Sequence, residues 1–315
     1  MPKINSLRFI RVLYIIFIPS FLFAQTDSTA VDTVGHWDLN SQLNINISQG
    51  IVSNWVEGGE NFISLLNVAK FQADYSKSNA SWTNSGEFRY GFNILSNLTN
   101  DKNYDFRKTD DRILLESTFG ERFYKHWYLS FMGNIKTQFT NGYNYPNDSV
   151  AVSNFMSPAK FYFALGFENK LYDGFNLFLS VLTVKTTIVA DPHVDETQYG
   201  LIEGERIDRQ VGAYLKFIYK KKIMENIVVD NKLSLFSNYL DNPQNLDLDY
   251  QIDFTMKINK YFQTTIHLHF LYDDNVDVPV YEYISGTKTQ VGTTKKLQFK
   301  EMLIFGFIYT FASKS

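Results

Sequence analysis

Residues 296–311 read KLQFKEMLIFGFIYTF, and the odd-numbered positions are Leu297, Phe299, Glu301, Leu303, Phe305, Phe307, Tyr309 and Phe311. Only Glu301 interrupts a row of large apolar side chains. Spaced by two, these residues leave one face of an extended strand, while their even-numbered neighbours leave the other. A chain whose mean hydropathy is −0.21 thus carries, close to its end, a row that must lie against either protein or lipid.

The same alternation recurs upstream. In 37–47, Trp37, Leu39, Leu43, Ile45 and Ile47 oppose Asp38, Asn40, Gln42, Asn44 and Asn46. In 82–94, Trp82, Phe88, Tyr90, Phe92 and Ile94 oppose Thr83, Ser85, Glu87 and Arg89. Residues 127–139 and 246–258 repeat the pattern, which fits strands and not helices. With weaker segments included, strands are expected near 37–48, 61–76, 81–96, 111–121, 126–140, 159–170, 174–189, 207–221, 226–239, 246–260, 262–273 and 296–311. Connections after even-numbered strands are brief, whereas those at 96–110, 141–158, 190–206 and 274–295 are long. An even strand count with short turns at one end and long loops at the other predicts a transmembrane antiparallel β-barrel of about twelve strands, outer-membrane type. Both termini then fall at the short-turn end. There Trp37, Tyr75, Trp82, Tyr124, Trp127, Tyr172, Phe175, Tyr219, Tyr261 and Phe311 gather as rings do at a membrane interface.

The chain opens MPKINSLRFIRVLYIIFIPSFLFAQ. Lys3, Arg8 and Arg11 precede an apolar run from Val12 to Phe23, and Ala24 offers a small residue for cleavage, so 1–24 reads as a secretory signal peptide. Residues 25–36 form a short polar lead-in, 37–311 the barrel and 312–315 a tail. Removal of the signal leaves 27 basic against 33 acidic residues, which gives no support to nucleic-acid binding. With no cysteine, disulfides and thiolate metal sites are excluded.

Alternation alone does not say which face is wet, and an exported soluble β-sandwich or barrel would alternate too. Roughly eight strands already mark the width that side chains fill as a dry core, so about twelve argue for a hydrated interior. The polar face bears both signs of charge at mid-strand. Its lumen-lining candidates are Glu87, Arg89, Arg112, Glu116, Lys136, Lys160, Asp253, His267 and His269, beside Lys70, Glu168, Asp230, Lys232 and Lys257. Polar residues also occupy apolar-face slots at Asn67, Asn84, Lys185, Arg209, Asn231 and Glu301. Lys185, Arg209 and Glu301 lie near loop ends, where long side chains can reach the interface.

Chemistry is weakly signalled. His267 and His269 share the lumen face, but no third metal ligand accompanies them, and hydrated histidines are the commoner case. Asp273, Asp274 and Asp277 match no calcium-loop spacing. A twelve-stranded outer-membrane phospholipase would need a lipid-facing His and Ser, and no His-x-Ser spacing exists, so no catalytic residue, metal or cofactor is assigned and the chain is not expected to be an enzyme. Trp55, within SNWVEGGEN at 53–61, is a loop candidate for ligand contact, although a packed glycine turn is the plainer reading.

SNWVEGGEN at 53–61, RKTDDRILLES at 107–117, SPAKFYFALGFENK at 157–170, LFSNYLD at 235–241, LYDDN at 271–275 and the closing QFKEMLIFGFIYTF together resemble a Bacteroidota outer-membrane family known as domain of unknown function 3078. LSVLTVKTT at 179–187 departs from it where a proline is expected. The resemblance implies an outer-membrane barrel and supplies no activity. The expected partners are outer-membrane lipid, the barrel-assembly machinery acting on the strand that ends at Phe311, and a small polar solute. Passage or binding of that solute is the first functional expectation. A barrel plugged by a dense ionic network is the alternative, and an envelope-modifying enzyme resting on His267 and His269 is the third.

Overall fold

The computed structural model describes residues 36–50, 62–95, 105–145, 147–284 and 287–314. The signal peptide, most of the lead-in and Trp55 lie outside the described residues, as does the ring of Phe311. The strands are β1 (Trp37–Gly50), β2 (Phe62–Lys77), β3 (Ala80–Leu95), β4 (Asp105–Tyr124), β5 (Trp127–Thr137), β6 (Gly142–Tyr143), β7 (Ala151–Ser153), β8 (Ala159–Asn169), β9 (Phe175–Ile188), β10 (Ile207–Met224), β11 (Ile227–Asn238), β12 (Asp247–Lys257), β13 (Phe262–Tyr272), β14 (Val278–Ile284), β15 (Thr287–Thr294) and β16 (Gln298–Lys314). Twelve close into an antiparallel barrel in the order β1-β16-β13-β12-β11-β10-β9-β8-β5-β4-β3-β2. The pairs β6–β7 and β14–β15 are separate hairpins inside two of the long loops. β16 runs on to Lys314 and pairs Ala312, Ser313 and Lys314 with Asn40, Leu39 and Asp38, so 312–314 are barrel rather than tail.

Exposure decides which face is which. Along β5, Leu129 and Phe131 are 48% and 52% exposed, whereas Ser130 and Met132 between them are 1% exposed. Phe163, Leu165 and Phe167 of β8 and Leu303, Phe305 and Phe307 of β16 continue the exposed row. A continuous apolar belt of this kind is far larger than a soluble surface sustains, and against acyl chains it is the matching surface. The apolar face therefore points out. At the short-turn end the belt finishes in rings. Trp37 lies 5.2 Å from Tyr75 and 5.8 Å from Trp82, Tyr172 lies 5.4 Å from Phe175, and Tyr261 stacks on Phe307 at 5.8 Å.

Outward polar residues mostly find partners. Ser117 Oγ donates to Asn84 Oδ1 at 2.8 Å and accepts from Trp82 Nε1. Asn231 accepts from the Tyr250 hydroxyl at 3.1 Å and donates to the Tyr219 carbonyl, so its outward position is no slip of register. Arg209 and Glu301 are outward and exposed near the loop end.

Lys185 overturns its expectation. Leu165 pairs with Leu182 and Gly166 with Ser180, which leaves Val181 as an extra residue in β9. Phe178 and Ser180 face inward below this bulge, and Thr183, Lys185 and Thr187 face inward above it. One inserted residue exchanges the faces of everything beyond it, and Lys185 is carried into the lumen. The Ser180 hydroxyl donates to the Leu165 carbonyl at 2.8 Å and accepts from the Leu182 N–H at 3.1 Å, replacing the lost ladder bonds. On each neighbouring strand a glycine at a close backbone approach stands beside the bulge, Gly166 on β8 and Gly212 on β10. A Cβ on Gly166 would strike the Leu179 carbonyl, and one on Gly212 would strike that of Ser237.

The loops at 138–158 and 189–206 form a crown with its own small core of Val189, Val194 and Leu201, packed against Tyr199. Burial pushes the Tyr199 phenol up to about 12, and its hydroxyl donates to the Val152 carbonyl. Asn154 donates to Asp191 Oδ2 at 2.7 Å, and the Asp191 N–H donates to Ser157 Oγ at 2.7 Å. Donation from the Asn154 amide, then from the His193 backbone and ring, holds the Asp191 carboxyl down to about 2.

Gly212→Ala is expected to destabilise the barrel by about 1–3 kcal/mol through overpacking against backbone, whereas Gly133→Ala, whose added methyl meets only the Phe163 ring at 3.5 Å, should be near neutral. Urea midpoints in detergent micelles check both. A depressed carboxylate adds stability above its ordinary pKa and loses it as pH falls through the folded value. An NMR titration should therefore place the Asp191 midpoint near 2, moving up toward about 4 in Asn154→Ala.

Candidate functional site: the charged lumen

Inward positions on each strand follow from the registers, and pairing keeps cross-strand partners on one face. The structure brings all nine lumen-lining candidates inside. Glu87, Arg89, Arg112 and His267 are buried, and Glu116, Lys136, Lys160, Asp253 and His269 are at most partly exposed.

What joins them is contact from wall to wall. Lys136 of β5 reaches Asp249 of β12 at 2.8 Å. Arg112 of β4 donates to Gln251 Oε1 of β12 at 2.9 Å. Lys70 of β2 lies 3.3 Å from Glu87 and 3.9 Å from Asp253 of β12. Lys216 of β10 pairs with Glu116 of β4, whose other oxygen accepts from Asn134 at 3.2 Å. Toward the loop end, Lys160 meets Asp273 at 2.9 Å, and Lys185 meets Asp247 at 2.6 Å and Asp273 at 3.4 Å. Arg89 closes a further group, with Nε 2.8 Å from Asp110, which also takes Lys300 of β16 at 3.1 Å.

The histidines belong to this network. His267 Nδ1 lies 2.6 Å from Asp253 Oδ1, and His269 Nε2 lies 2.9 Å from Asp249 Oδ1. Each of these aspartates therefore holds a histidine from the neighbouring strand and a lysine from the opposite wall. Among the described residues no group of three or more His, Asp or Glu is arranged to hold a metal ion. Asp273 is taken by two lysines, and Asp274 accepts from Tyr272 and Asn245.

Beside the ionic layer, Met132, Ala164, Phe178, Tyr214 and Phe236 form a buried cluster, with Tyr162 against it. All are inward, so the interior is partly a dry core, contrary to the expectation that twelve strands are too wide to fill. Aromatic rings and four-carbon lysine stems from facing walls span the distance that shorter side chains would leave to water. Lys185 shows the combination, with its ammonium 5.3 Å from the centroid of the Phe236 ring.

Sequence reading missed Lys185, Lys216, Asp110 and Lys300 as lumen groups. Lys216 shares the parity of Gln210 and Tyr214, a signal obscured by the basic run at 220–222. Lys300 stands on the even face of β16 and was legible. Lys185 was not, because only the bulge turns it inward.

The closed ladder, the outward apolar belt and the charged interior define an integral β-barrel of outer-membrane type. A family model described as protein of unknown function (DUF3078) matches residues 47–143, from the end of β1 through β6. No curated protein sequence matches the chain. Among solved structures, the COG4313 outer membrane channel from Pseudomonas putida F1 is similar at 11% identity and TM-score 0.38, covering 91% of this chain and 100% of that one. The TodX monoaromatic hydrocarbon channel deltaS2 mutant is similar at 9% identity and TM-score 0.30, covering 88% of each chain. OmpF of Salmonella typhi, in complex with daunomycin, is similar at 9% identity and TM-score 0.27, covering 87% of this chain and 97% of that one. The barrel assignment rests on the strand pairing and the belt, and draws nothing from likenesses of this size.

Lys216→Met leaves Glu116 buried with Asn134 but without its cation, and is expected to cost about 3–5 kcal/mol. Glu116→Gln combined with Lys216→Met should recover most of that loss. Urea denaturation of the two single variants and the double variant measures the coupling.

Proposed function

We propose that this is an outer-membrane barrel whose lumen is bolted in its resting state, and which serves the envelope as a closed scaffold for its outer loops rather than as an open diffusion pore. The observation carrying the reading is the set of contacts between opposite walls, the ion pairs Lys136–Asp249, Lys70–Asp253 and Lys216–Glu116 and the hydrogen bond from Arg112 to Gln251. Each ties strands that are not neighbours, so an axial path would require several to part together. The pairs are partly shielded from water, and several must part together for an axial path to open, which makes spontaneous opening rare.

Passage of a small polar solute is the second reading. It is favoured by Arg112 Nε and Asp230 Oδ1, two buried polar atoms that have no hydrogen-bond partner among the described residues. On that reading the solute replaces one ionic contact at a time as it moves. Export through a signal peptide cut after Ala24, insertion by the barrel-assembly machinery on the strand containing Phe311, contact with outer-membrane lipid, and the Bacteroidota lineage belong to the same proposal. So does the absence of catalysis: His267 and His269 serve as partners of Asp253 and Asp249.

Purified protein in planar lipid bilayers tests this. The native barrel should show no steady current, and the triple variant Lys70→Ala, Arg112→Ala, Lys136→Ala should conduct with cation preference, since Glu87, Asp249 and Asp253 lose counter-charges. Steady current from the native barrel, equal to that of the variant, would mean that the lumen is open and the bolt reading is wrong.

A further inference from the structure

RKTDDRILLES at 107–117 sets two aspartates side by side. The β3–β4 ladder gives them opposite faces and different tasks. Tyr90 pairs with Asp111 and Gly91 with Asp110, but Phe92 pairs with Lys108, so Thr109 is an extra residue in β4. Asp110 stays inward with Arg89 and Lys300. The inserted residue exchanges faces beyond it, and Lys108 therefore shares the outward face with Asp111. Their ion pair, at 2.7 Å, is only 11% and 4% exposed although it stands on the outer side of the wall. What covers it is the loop after β5. Asp111 accepts from the Phe139 N–H at 2.8 Å and from the Thr140 N–H at 3.0 Å, and Lys108 donates to the Thr140 carbonyl at 2.7 Å. The pair thus clamps that loop to the outer wall.

Between the loop and the wall lies a cleft of about 480 Å³, a size usual for small-molecule sites. Tyr90 and Phe106 of the wall and Phe139, Tyr143 and Tyr145 of the loop line it. The Tyr143 and Tyr145 ring centres are 6.2 Å apart. The Arg107 guanidinium, 5.5 Å from the Tyr145 ring centre, and the Lys108 backbone N–H, donating to the Tyr145 hydroxyl at 3.3 Å, fix that ring. Lys108 lines the cleft too. Two of its three ammonium protons go to Asp111 and Thr140, which leaves one for a guest. Gly142 keeps it uncovered, since a Cβ there would lie 3.5 Å from Lys108 Nζ. Asp148 adds an exposed carboxylate with no hydrogen bond or ion pair among the described residues. These charges select by exclusion. Asp111 and Asp148 oppose an anion, and the Lys108 ammonium opposes a cation. What fits is a neutral guest with C–H faces for the rings and hydroxyls for the Lys108 proton and the Asp148 oxygens.

We propose that this cleft binds a neutral sugar ring, a pyranose unit stacked on the wall and loop aromatics with its hydroxyl rim on Lys108 and Asp148. The cleft lies at the loop end of the barrel, opposite the girdle of Trp37 and Tyr75. With the loops outside the membrane, that is the level of the outer-leaflet head groups. The proposal rests on the closed-scaffold reading in that it gives a task to a loop which the scaffold holds. The sugar arrives either free or as the head group of a lipid, and the binding chemistry is the same.

Saturation-transfer NMR of the barrel in phosphatidylglycerol nanodiscs tests this with the methyl glycosides of glucose, galactose, mannose and N-acetylglucosamine. At least one should receive saturation, strongest at its ring C–H protons. The transfer should fall at least fivefold in Tyr143→Ala and in Phe106→Ala, and hold in Phe163→Ala, which removes an equally exposed ring from the belt away from the cleft. No transfer to any of the four glycosides, or equal transfer in the two cleft variants, overturns the site. Displacement of the glycoside by equimolar inorganic phosphate or choline overturns its neutral chemistry. An octyl glycoside that binds at least tenfold tighter than its methyl counterpart identifies a lipid-borne sugar, and equal affinities identify a free one; either upholds the proposal. Migration of the folded barrel on unheated gels certifies each variant. No readout depends on axial current, so the sugar site and the bolted lumen fail separately.

Discussion

Backbone polarity in a solvent without hydrogen bonds is the constraint from which the rest follows. A strand crossing hydrocarbon must pair both of its edges, and a closed ring of strands does this with no edge left over. Closure then assigns the two faces of every strand. The outer one meets acyl chains and collects Leu, Phe and Val, and the inner one is free to carry charge because it is shielded from lipid. The bulge at Val181 obeys the same constraint. Where a residue is inserted and ladder bonds are lost, the Ser180 hydroxyl takes them over.

The interior combines two materials that are usually kept apart. Around Phe178, Tyr214 and Phe236 it is packed like a soluble core, and beside them Lys136, Asp249, Arg112 and Glu116 tie one wall to the other. The apolar cluster excludes water and so lowers the local dielectric constant around its ionic neighbours, which strengthens their attraction and raises the penalty for leaving any of them alone. Ion pairs and packing thus hold the same walls together, and neither would seal the cross-section unaided. The outer loops are ordered by a separate device, the small core of Val189, Val194 and Leu201, with Asp191 linking the two segments.

Much of the architecture was legible because alternation is a local property. Leu129, Phe131, Ser130 and Met132 declare their faces within four residues, and brief turns against long loops declare the direction of each strand. The inward candidates from Glu87 to His269 were legible for the same reason. Two things were not. Lys185 was assigned outward because a single extra residue changes its face, and nothing short of the pairing with Leu165 and Gly166 reveals that residue. The width argument failed because counting strands ignores side-chain length, and Lys216 reaches Glu116 from 100 positions away in the chain.

The closed barrel decided that the apolar face is the outer one, while the sequence by itself determined that the strands alternate and that charges of both signs line the polar face. Those facts depend on neighbours two residues apart. Tertiary structure alone decided which cation meets which carboxylate and where a bulge exchanges the faces. Partner choice depends on register and stagger accumulated around the whole barrel, and these are properties of the closed ring, not of any one strand.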